Sequence, residues 1–243
     1  RDDAWLAGFT KGMTELSRQA GCPLLGGDTT RTAKVGDIHA PVTISITAMG
    51  ELPQSMGLTR SGARPGDDIW VSGCVGGAWA ALMHRWGKLT LDARVFPAAA
   101  LAMDRPNPRN ALGTALLSSA TACADISDGL AQDLGHILER SGVDADVLWD
   151  AVPKHPALAA LSQEQQVEAA MSGGDDYELV FTAPADKRGL IEQASISALT
   201  PVTRIGRIVE KKPSGAPLAI RDASGRPLFL PVQGFDHFAQ SAD

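Results

Sequence analysis

The chain has 243 residues, enough for one large domain or two smaller ones. Its hydrophobic fraction of 44% is sufficient for a buried core, and its net charge of −6 argues against a nucleic-acid binder, which needs a basic face. The single tyrosine also argues against a surface on which single-stranded bases stack.

The first 66 residues predict a helix, two strands and then a domain boundary. Apolar residues recur at steps of three and four over residues 2–20, which predicts an amphipathic helix ending at Gly21. Leu24-Leu25 is interpreted as a short buried strand, and the strict alternation over residues 42–48 predicts a strand with one buried face. Residues 53–66 are rich in Pro, Gly and Ser, so we place the boundary there and expect domains at residues 1–56 and 57–243.

The second domain mixes helices and strands throughout, which indicates an α/β or α+β fold. Its predicted strands cover residues 68–72, 143–152, 177–182 and 203–209, with a hairpin formed by 218–221 and 227–230. A glycine-rich turn at 73–77 precedes the first of its helices, and the helices are predicted at 78–86, 110–119, 130–141, 163–171 and 186–199.

The cysteines predict a reducing, cytoplasmic setting. Cys22, Cys74 and Cys123 are an odd number at wide spacing, which gives neither a disulfide framework nor a CxxC pair. Cys123 lies in a run of small apolar residues and is interpreted as a buried, inert thiol. We find no signal peptide or membrane-spanning run, and because the chain opens on Arg1 inside an apparent helix, we expect that an N-terminal segment is missing.

Three acidic loops combine carboxylates with glycines beside apolar segments. Glycine lets the backbone approach a ligand closely, and carboxylates without neighbouring His or Cys suit hard cations such as Mg²⁺. Together they predict Mg²⁺ held against the phosphates of a nucleotide, and therefore phosphoryl transfer. The loops read Gly26-Gly27-Asp28-Thr29-Thr30, Asp125-Ile126-Ser127-Asp128-Gly129 and Gly173-Gly174-Asp175-Asp176-Tyr177-Glu178.

Each of the first two loops has a functional and a structural interpretation. Asp28 could bind Mg²⁺ beside a phosphate, or form an ordinary Asx turn. Ser127 or Asp128 could cap the following helix, but one cap needs one residue, and Asp125 and Asp128 crowd a single turn. Like charges repel unless a cation lies between them, so we favour the cation.

Several other polar residues have more than one possible role. Asp175, with Asp176 and Glu178, could bind a donor group on a substrate or belong to a polar loop before an edge strand. Arg60 and Arg64 could clamp a phosphate or be solvated surface charges. His136 is interpreted as a packed or surface histidine, because no nearby nucleophile needs a base. The chain has no GxxxxGK[ST], HRD/DFG, GxSxG or HExxH motif, which excludes the P-loop and protein-kinase mechanisms.

With these motifs in place, the sequence resembles the thiamine-monophosphate kinase family of the aminoimidazole-ribonucleotide-synthetase-like superfamily. The matching stretches occur in family order over nearly the whole chain, and the second and third loops with the final stretch are the most specific. They are residues 25–31, 58–67, 125–130 with Asp133-Leu134, 172–179 and 234–238.

The resemblance implies ATP-dependent phosphorylation of thiamine monophosphate to thiamine diphosphate by a two-domain, homodimeric fold whose first domain is truncated here. It implies that Asp28, Asp125 and Asp128 hold Mg²⁺, that Gly27, Asp28, Arg60 and Ser127 contact ATP, and that Asp175 and Phe235 contact thiamine phosphate. The family position of Asp175 is often Glu.

Two alternatives remain open on the sequence. The chain could be another ATP-dependent synthetase of the superfamily, which would be expected to lack the third loop and the final stretch. It could instead be a catalytically inactive, dimerising remnant, because family members carry further aspartates before the region in which this chain starts.

Overall fold

The computed structural model describes residues 3–30, 41–53 and 57–228, and the chain forms two compact units, residues 1–53 and 54–243. In the first unit, helix α1 (Asp3–Gln19) confirms the predicted amphipathic helix. Trp5 and Phe9 stack on its surface with ring centroids 5.6 Å apart, and Gly21, with φ of 63°, follows its end.

The two predicted strands of the first unit are wrong as secondary structure. Residues 24–25 and 42–48 form no strand, and the side chains of Val42, Ile44 and Ile46 are exposed. A strand requires a ladder of hydrogen bonds to a neighbour, and the described residues of this unit supply no such neighbour. The alternation therefore identifies a segment with one apolar side and does not identify what covers that side.

The second unit is built on a six-stranded sheet with the order β2-β4-β1-β5-β3-β6. All neighbours are antiparallel except β3 and β6, which are parallel, so the mixed α/β fold class is confirmed. The strands are β1 (Asp68–Ser72), β2 (Ala122–Ile126), β3 (Asp144–Leu148), β4 (Glu178–Ala183), β5 (Val202–Val209) and β6 (Leu218–Arg221).

Helices cover both faces of this sheet and bury two apolar clusters. They are α2 (Gly77–Arg85), α3 (Phe96–Asp104), α4 (Asn110–Ala115), α5 (Leu130–Ser141), α6 (Gln163–Val167) and α7 (Arg188–Ser197). The larger cluster includes Leu134 and Ile137 of α5, and the smaller one gathers Leu112, Phe181 and Ile191 from α4, β4 and α7. Helix α5 follows its predicted pattern and ends at Gly142, whose φ is 68°.

Several boundaries differ from the sequence-based prediction. Helix α3 was not predicted, because its run of alanines shows little amphipathic periodicity. The strand predicted to Val152 ends at Leu148 in a short 3₁₀ turn, and the helix predicted to Met171 changes to a π-helical turn at Glu168–Ser172. The predicted hairpin is confirmed as far as Leu228, which donates its backbone N–H to Ile220 (2.9 Å), while residues 229–230 lie outside the described residues.

None of the helices in the described part of the chain has both the length and the apolar character needed to cross a bilayer.

Candidate active site

The register of the sheet brings two of the acidic loops together at the same end of the neighbouring strands β2 and β4. Ile126, the last residue of β2, pairs with Glu178, the first residue of β4. Ser72 ends β1 beside them, since Val71 pairs with Val180 of β4. The loop that follows β2 and the loop that precedes β4 are therefore neighbours, although about 50 residues separate them in the chain.

A buried carboxylate on α5 holds the loop after β2. The side chain of Asp133 is 1% exposed, and its Oδ2 accepts the backbone N–H groups of Ser127 (2.9 Å) and Asp128 (3.0 Å). Burial raises the pKa of Asp133, the two backbone donors oppose that rise, and the charges of Asp128 and Asp125 add to it. The N-cap residue of α5 is Gly129, which makes no side-chain cap. Ser127 and Asp128 are therefore not capping residues, and the structural interpretation of this loop is wrong.

The loop before β4 is hydrogen-bonded directly to the loop after β2. The backbone N–H of Asp175 donates to the carbonyl of Ser127 (2.9 Å), and that of Tyr177 donates to the carbonyl of Ile126 (2.9 Å). A Cβ atom on Gly174 would lie 2.3 Å from the Ser127 carbonyl oxygen, so only glycine permits this approach. Gly174 thus allows the two loops to come into contact, while Gly173 packs against Ala169 and Trp79.

Two residues of the same loop adopt a backbone conformation that L-amino acids rarely use. Asp175 has φ of 65° and Tyr177 has φ of 49°. Such conformations cost on the order of 1–3 kcal/mol each and persist where the surrounding contacts determine them. They direct Asp175 and Tyr177 outward, while Asp176 and Glu178 are directed toward the protein.

The inward-directed acids anchor the loop. The half-buried carboxylate of Asp176 accepts the N–H of Gly76 (2.8 Å), at the start of α2. Burial raises the pKa of Asp176 to about 8, while backbone donors from Gly76 and Ala78 oppose the rise and the neighbouring acids Glu178 and Asp175 increase it.

Glu178 is buried in an ionic network. Its Oε2 accepts from Arg109 Nε (2.7 Å) and from Ser72 Oγ (2.5 Å), and Arg109 Nη2 binds Oε1. Ser72 Oγ in turn accepts the backbone N–H of Leu179 (2.8 Å). A buried carboxylate needs such partners, so Glu178 anchors the start of β4 to Ser72 and Arg109.

The phenol of Tyr177 is hydrogen-bonded to one acid and is influenced by the charges of two others. Its hydroxyl donates to Asp175 Oδ1 (3.1 Å). Burial raises the pKa of Tyr177, and the hydrogen bond to Asp175 and the charges of Asp175, Asp125 and Asp128 raise it further. Asp125 is exposed and Asp128 is half-buried, and no described Lys or Arg forms an ion pair with either. This edge of the sheet therefore has a negative potential that suits a bound cation.

The described residues do not form a complete metal site by themselves. No three His, Cys, Asp or Glu side chains among them lie close enough together to hold a metal ion. Gly27 and Asp28 are exposed in the first unit, where Asp28 Oδ1 accepts the N–H of Thr29 (2.8 Å). Asp125 and Asp128, in the second unit, offer only carboxylate oxygens, which is the donor set that Mg²⁺ prefers.

The structure describes Arg60 and Cys123 but not Phe235. Arg60 is exposed beside β2, the outermost strand of the sheet, where the preceding residue, Thr59, accepts the backbone N–H of Cys123 (2.9 Å). The Arg60 carbonyl accepts from Ser141 Oγ (3.3 Å) at the end of α5. Phe235 lies outside the described residues. The thiol of Cys123 is half-buried, and burial followed by the charge of Asp125 raises its pKa to about 12, which agrees with an inert cysteine.

Sequence reasoning missed the residues that orient the loops. It gave no role to Asp133, Arg109 or Ser72, and the last two contact Glu178 from 69 and 106 positions away. The sequence contains only a weak indication of these contacts. A glutamate inside an otherwise apolar strand needs a buried partner, but the sequence does not say which cation supplies it.

The chain matches the family model described as AIR synthase related protein, C-terminal domain, over residues 64–217, and the corresponding N-terminal domain over residues 1–52. It is 37% identical over 240 residues to thiamine-monophosphate kinase of Escherichia coli (strain K12), spanning 98% of this chain and 70% of that protein. A crystal structure of thiamine-monophosphate kinase from Stenotrophomonas maltophilia K279a superimposes with a TM-score of 0.80 at 39% identity, over 90% of this chain and 68% of that one. A second structure, described as AaThiL complexed with AMPPCP and TMP, gives a TM-score of 0.59 at 28% identity, over 74% of this chain and 54% of that one.

Proposed function

The chain belongs to the thiamine-monophosphate kinase family of AIR synthase related proteins, and from this premise we propose that it transfers the γ-phosphoryl group of ATP to thiamine monophosphate, producing thiamine diphosphate. The observation that carries the proposal is the pair of acidic loops at one edge of the sheet, hydrogen-bonded to each other and backed by buried anchors. Phosphoryl transfer depends on positioning and charge stabilisation, which rigid loops of this kind supply.

We propose that Asp28, Asp125 and Asp128 hold Mg²⁺. Asp125 lies near the end of β2 and Asp128 in the turn that follows it, where Asp133 holds the backbone N–H groups of Ser127 and Asp128. Neither carboxylate is paired with a described Lys or Arg, and Asp128 Oδ2 has only a long contact of 3.4 Å from Gln132 Nε2. Bound Mg²⁺ neutralises phosphate oxygens and reduces the repulsion between two anionic substrates. The loop itself contributes a fixed orientation of both acids.

Gly27, Asp28, Arg60 and Ser127 are proposed to contact ATP. The backbone N–H of Ser127 is occupied by Asp133, which leaves its hydroxyl for a phosphate oxygen. The exposed guanidinium of Arg60 can pair with phosphate in bidentate fashion. Gly27 leaves room for a phosphate to approach the backbone.

Asp175 and Phe235 are proposed to bind the acceptor. Asp175 Oδ1 is held by the Tyr177 hydroxyl, so Oδ2 remains available for a donor group on thiamine phosphate. Phe235 would pack on a ring of the same substrate. No protein base is required, because a phosphate monoester is largely a dianion at neutral pH, with its second pKa at about 6.

We also propose a cytoplasmic homodimer that pairs through the first unit. The exposed apolar side chains of Val42, Ile44 and Ile46, on alternate residues, support a partner strand there, and the three free cysteines agree with a reducing compartment. Light scattering coupled to size-exclusion chromatography measures the oligomeric state, and a strictly monomeric mass would contradict the dimer.

The test is an assay of the purified chain with ATP, Mg²⁺ and thiamine monophosphate, in which thiamine diphosphate is separated and quantified. We expect Asp125→Asn to lower turnover by about 10²-fold or more, the scale on which loss of one charge-stabilising group acts, with little change in stability. Asp186→Asn, at an exposed position in the same unit, is the matched control and should retain full turnover.

The assay tests the metal role of Asp125 and the identity of the phosphoryl acceptor separately. Turnover of Asp125→Asn within a few-fold of the parent would exclude the metal role of Asp125. A parent chain that forms no thiamine diphosphate but phosphorylates another acceptor would favour a different superfamily synthetase.

A further inference from the structure

A groove of about 720 Å³ lies at the end of β1 that is remote from the acidic loops. β1 runs from Asp68 at the groove to Ser72, which binds Glu178 behind the loops. Four extended steps at about 3.3 Å each separate these two residues, so the groove lies on the order of 13 Å from that anchor. Four arginines line it, contributed by α7, β5 and β6: Arg188, Arg204, Arg207 and Arg221.

A buried carboxylate orients two of these arginines. Asp68 is 3% exposed and accepts from Arg188 Nε (2.5 Å) and Nη2 (2.9 Å) and from Arg204 Nη1 (3.2 Å). The two arginine side chains remain 46% and 51% exposed. Arg188 Nη1 and Arg204 Nε and Nη2 make no bond to Asp68, so donors are left on two guanidinium groups whose orientation is fixed.

The other two arginines are held loosely. Arg207 Nη2 lies 3.8 Å from Asp146, which is beyond hydrogen-bonding distance, and its side chain is 70% exposed. Lys212 Nζ approaches the same carboxylate at 3.9 Å. Arg221 Nη1 has a long contact of 3.4 Å to the carbonyl of Gly225. These cations can turn toward a ligand without breaking a strong bond.

The carboxylates in the groove do not neutralise it. Asp222, the third lining acid beside Asp68 and Asp146, accepts from the hydroxyl of Ser224 (2.6 Å) and from the backbone N–H of Arg226 (2.9 Å) within its own turn. The four lining arginines therefore outnumber the three lining acids, of which Asp68 and Asp222 are hydrogen-bonded and Asp146 is approached only at 3.8 and 3.9 Å. This excess of positive charge stands out in a chain whose net charge is −6.

Glycines and apolar residues form the rest of the lining, and the accessible apolar side chains make the groove suitable for more than a bare ion. A volume of this size accommodates a small organic molecule. The accessible apolar lining residues are Leu148, Ala151, Ala185 and Ala223, whereas Val147 and Ile205 border the groove but are buried in the larger apolar cluster.

We propose that this groove is a second ligand site, which binds a small organic phosphate independently of the acidic loops. The guanidinium groups of Arg204 and Arg207 take the phosphate, because their planar forks match its oxygens, and the apolar lining takes the organic body. The site requires no metal ion, which distinguishes it from the acidic edge of the sheet.

The test is calorimetric titration of the whole chain with phenyl phosphate in the presence of EDTA, so that metal-dependent binding at the acidic loops is absent. Inorganic phosphate is titrated in parallel to separate a free anion from an organic one. The variant is Arg207→Gln/Arg221→Gln, which leaves the pairing of Asp68 intact and therefore its buried charge compensated. Arg94→Gln, which removes an exposed arginine paired with Asp92 elsewhere in the unit, is the matched control.

We expect the parent and Arg94→Gln to bind phenyl phosphate with the same dissociation constant, tighter than inorganic phosphate, and the double variant to bind it at least tenfold more weakly while retaining the parent's thermal midpoint. A parent that does not bind phenyl phosphate, an unchanged dissociation constant in the double variant, or equal affinity for inorganic phosphate would each overturn the proposal. Because the assay contains no Mg²⁺ and no thiamine monophosphate, its failure says nothing about kinase activity.

Discussion

Asp133 is the residue on which the orientation of the β2–α5 loop depends. Its buried carboxylate accepts two backbone N–H groups from the segment that carries Ser127 and Asp128. The orientation of Asp128, one of the acids proposed to bind Mg²⁺, therefore depends on a further acid behind the loop. A carboxylate in this role acts through hydrogen bonds to the backbone, as a helix cap does, but from inside the helix.

We predict that Asp133→Ala lowers the free energy of unfolding by about 1–3 kcal/mol, because two backbone donors lose their acceptor. Urea denaturation at neutral pH measures the change. Asp186→Ala, at an exposed site, serves as the control and should stay within about 0.5 kcal/mol of the parent. An Asp133→Ala variant as stable as the control would show that water replaces the carboxylate and that Asp133 does not hold the loop.

At the scale of elements, β2 and β4 position the site because their adjoining loops touch. The contact is closest at Gly174, which faces the carbonyl of Ser127. That carbonyl also accepts the N–H of Asp175, so its position is constrained from both sides. Any larger residue in place of Gly174 would force the two loops apart.

We predict that Gly174→Ala lowers both stability and turnover, since its Cβ would lie 2.3 Å from a backbone oxygen that cannot turn away. The matched control is Gly189→Ala in α7, where a Cβ meets nothing within 4 Å. That control should gain about 0.5–1 kcal/mol from the better helix propensity of alanine. Thermal unfolding and the kinase assay report both effects, and equal behaviour of the two variants would refute close contact between the loops.

At the scale of the whole molecule, the proposed ligands of Mg²⁺ come from both compact units. Asp28 belongs to residues 1–53, and Asp125 and Asp128 belong to residues 54–243. The domain division after residue 56 remains a prediction, as do the metal and substrate assignments. Binding of ATP with Mg²⁺ to the intact chain tests the proposed metal and nucleotide assignments.

We predict that ATP with Mg²⁺ raises the thermal midpoint of the chain by several degrees, since a ligand at 100 times its dissociation constant adds about 2.7 kcal/mol. EDTA should abolish most of the rise, because ATP would then meet the uncompensated charge of the acids. The measurement is differential scanning fluorimetry, with Mg²⁺ alone as the control. A chain that shows no magnesium-dependent rise would support the inactive-remnant alternative.

The fold class, most elements of the second unit and the positions of the acidic loops could be predicted from the sequence alone. Periodicity is a local property, so α1, α5, β1 and β4 could be predicted from neighbouring residues alone. Crowding of Asp125 and Asp128 in one turn is also local, and it correctly argued against a helix cap. The family resemblance rested on these same local motifs and was confirmed.

The partners that hold those loops in place could not be predicted and are seen only in the folded chain. Arg109 and Glu178 are 69 positions apart, and Ser72 and Glu178 are 106 apart, so no local pattern relates them. Likewise, the alternation of residues 42–48 could not reveal whether a strand forms, because a strand depends on a neighbour. Hydrogen bonds and ion pairs between distant residues depend on the path of the whole chain, whereas periodicity and turn chemistry do not.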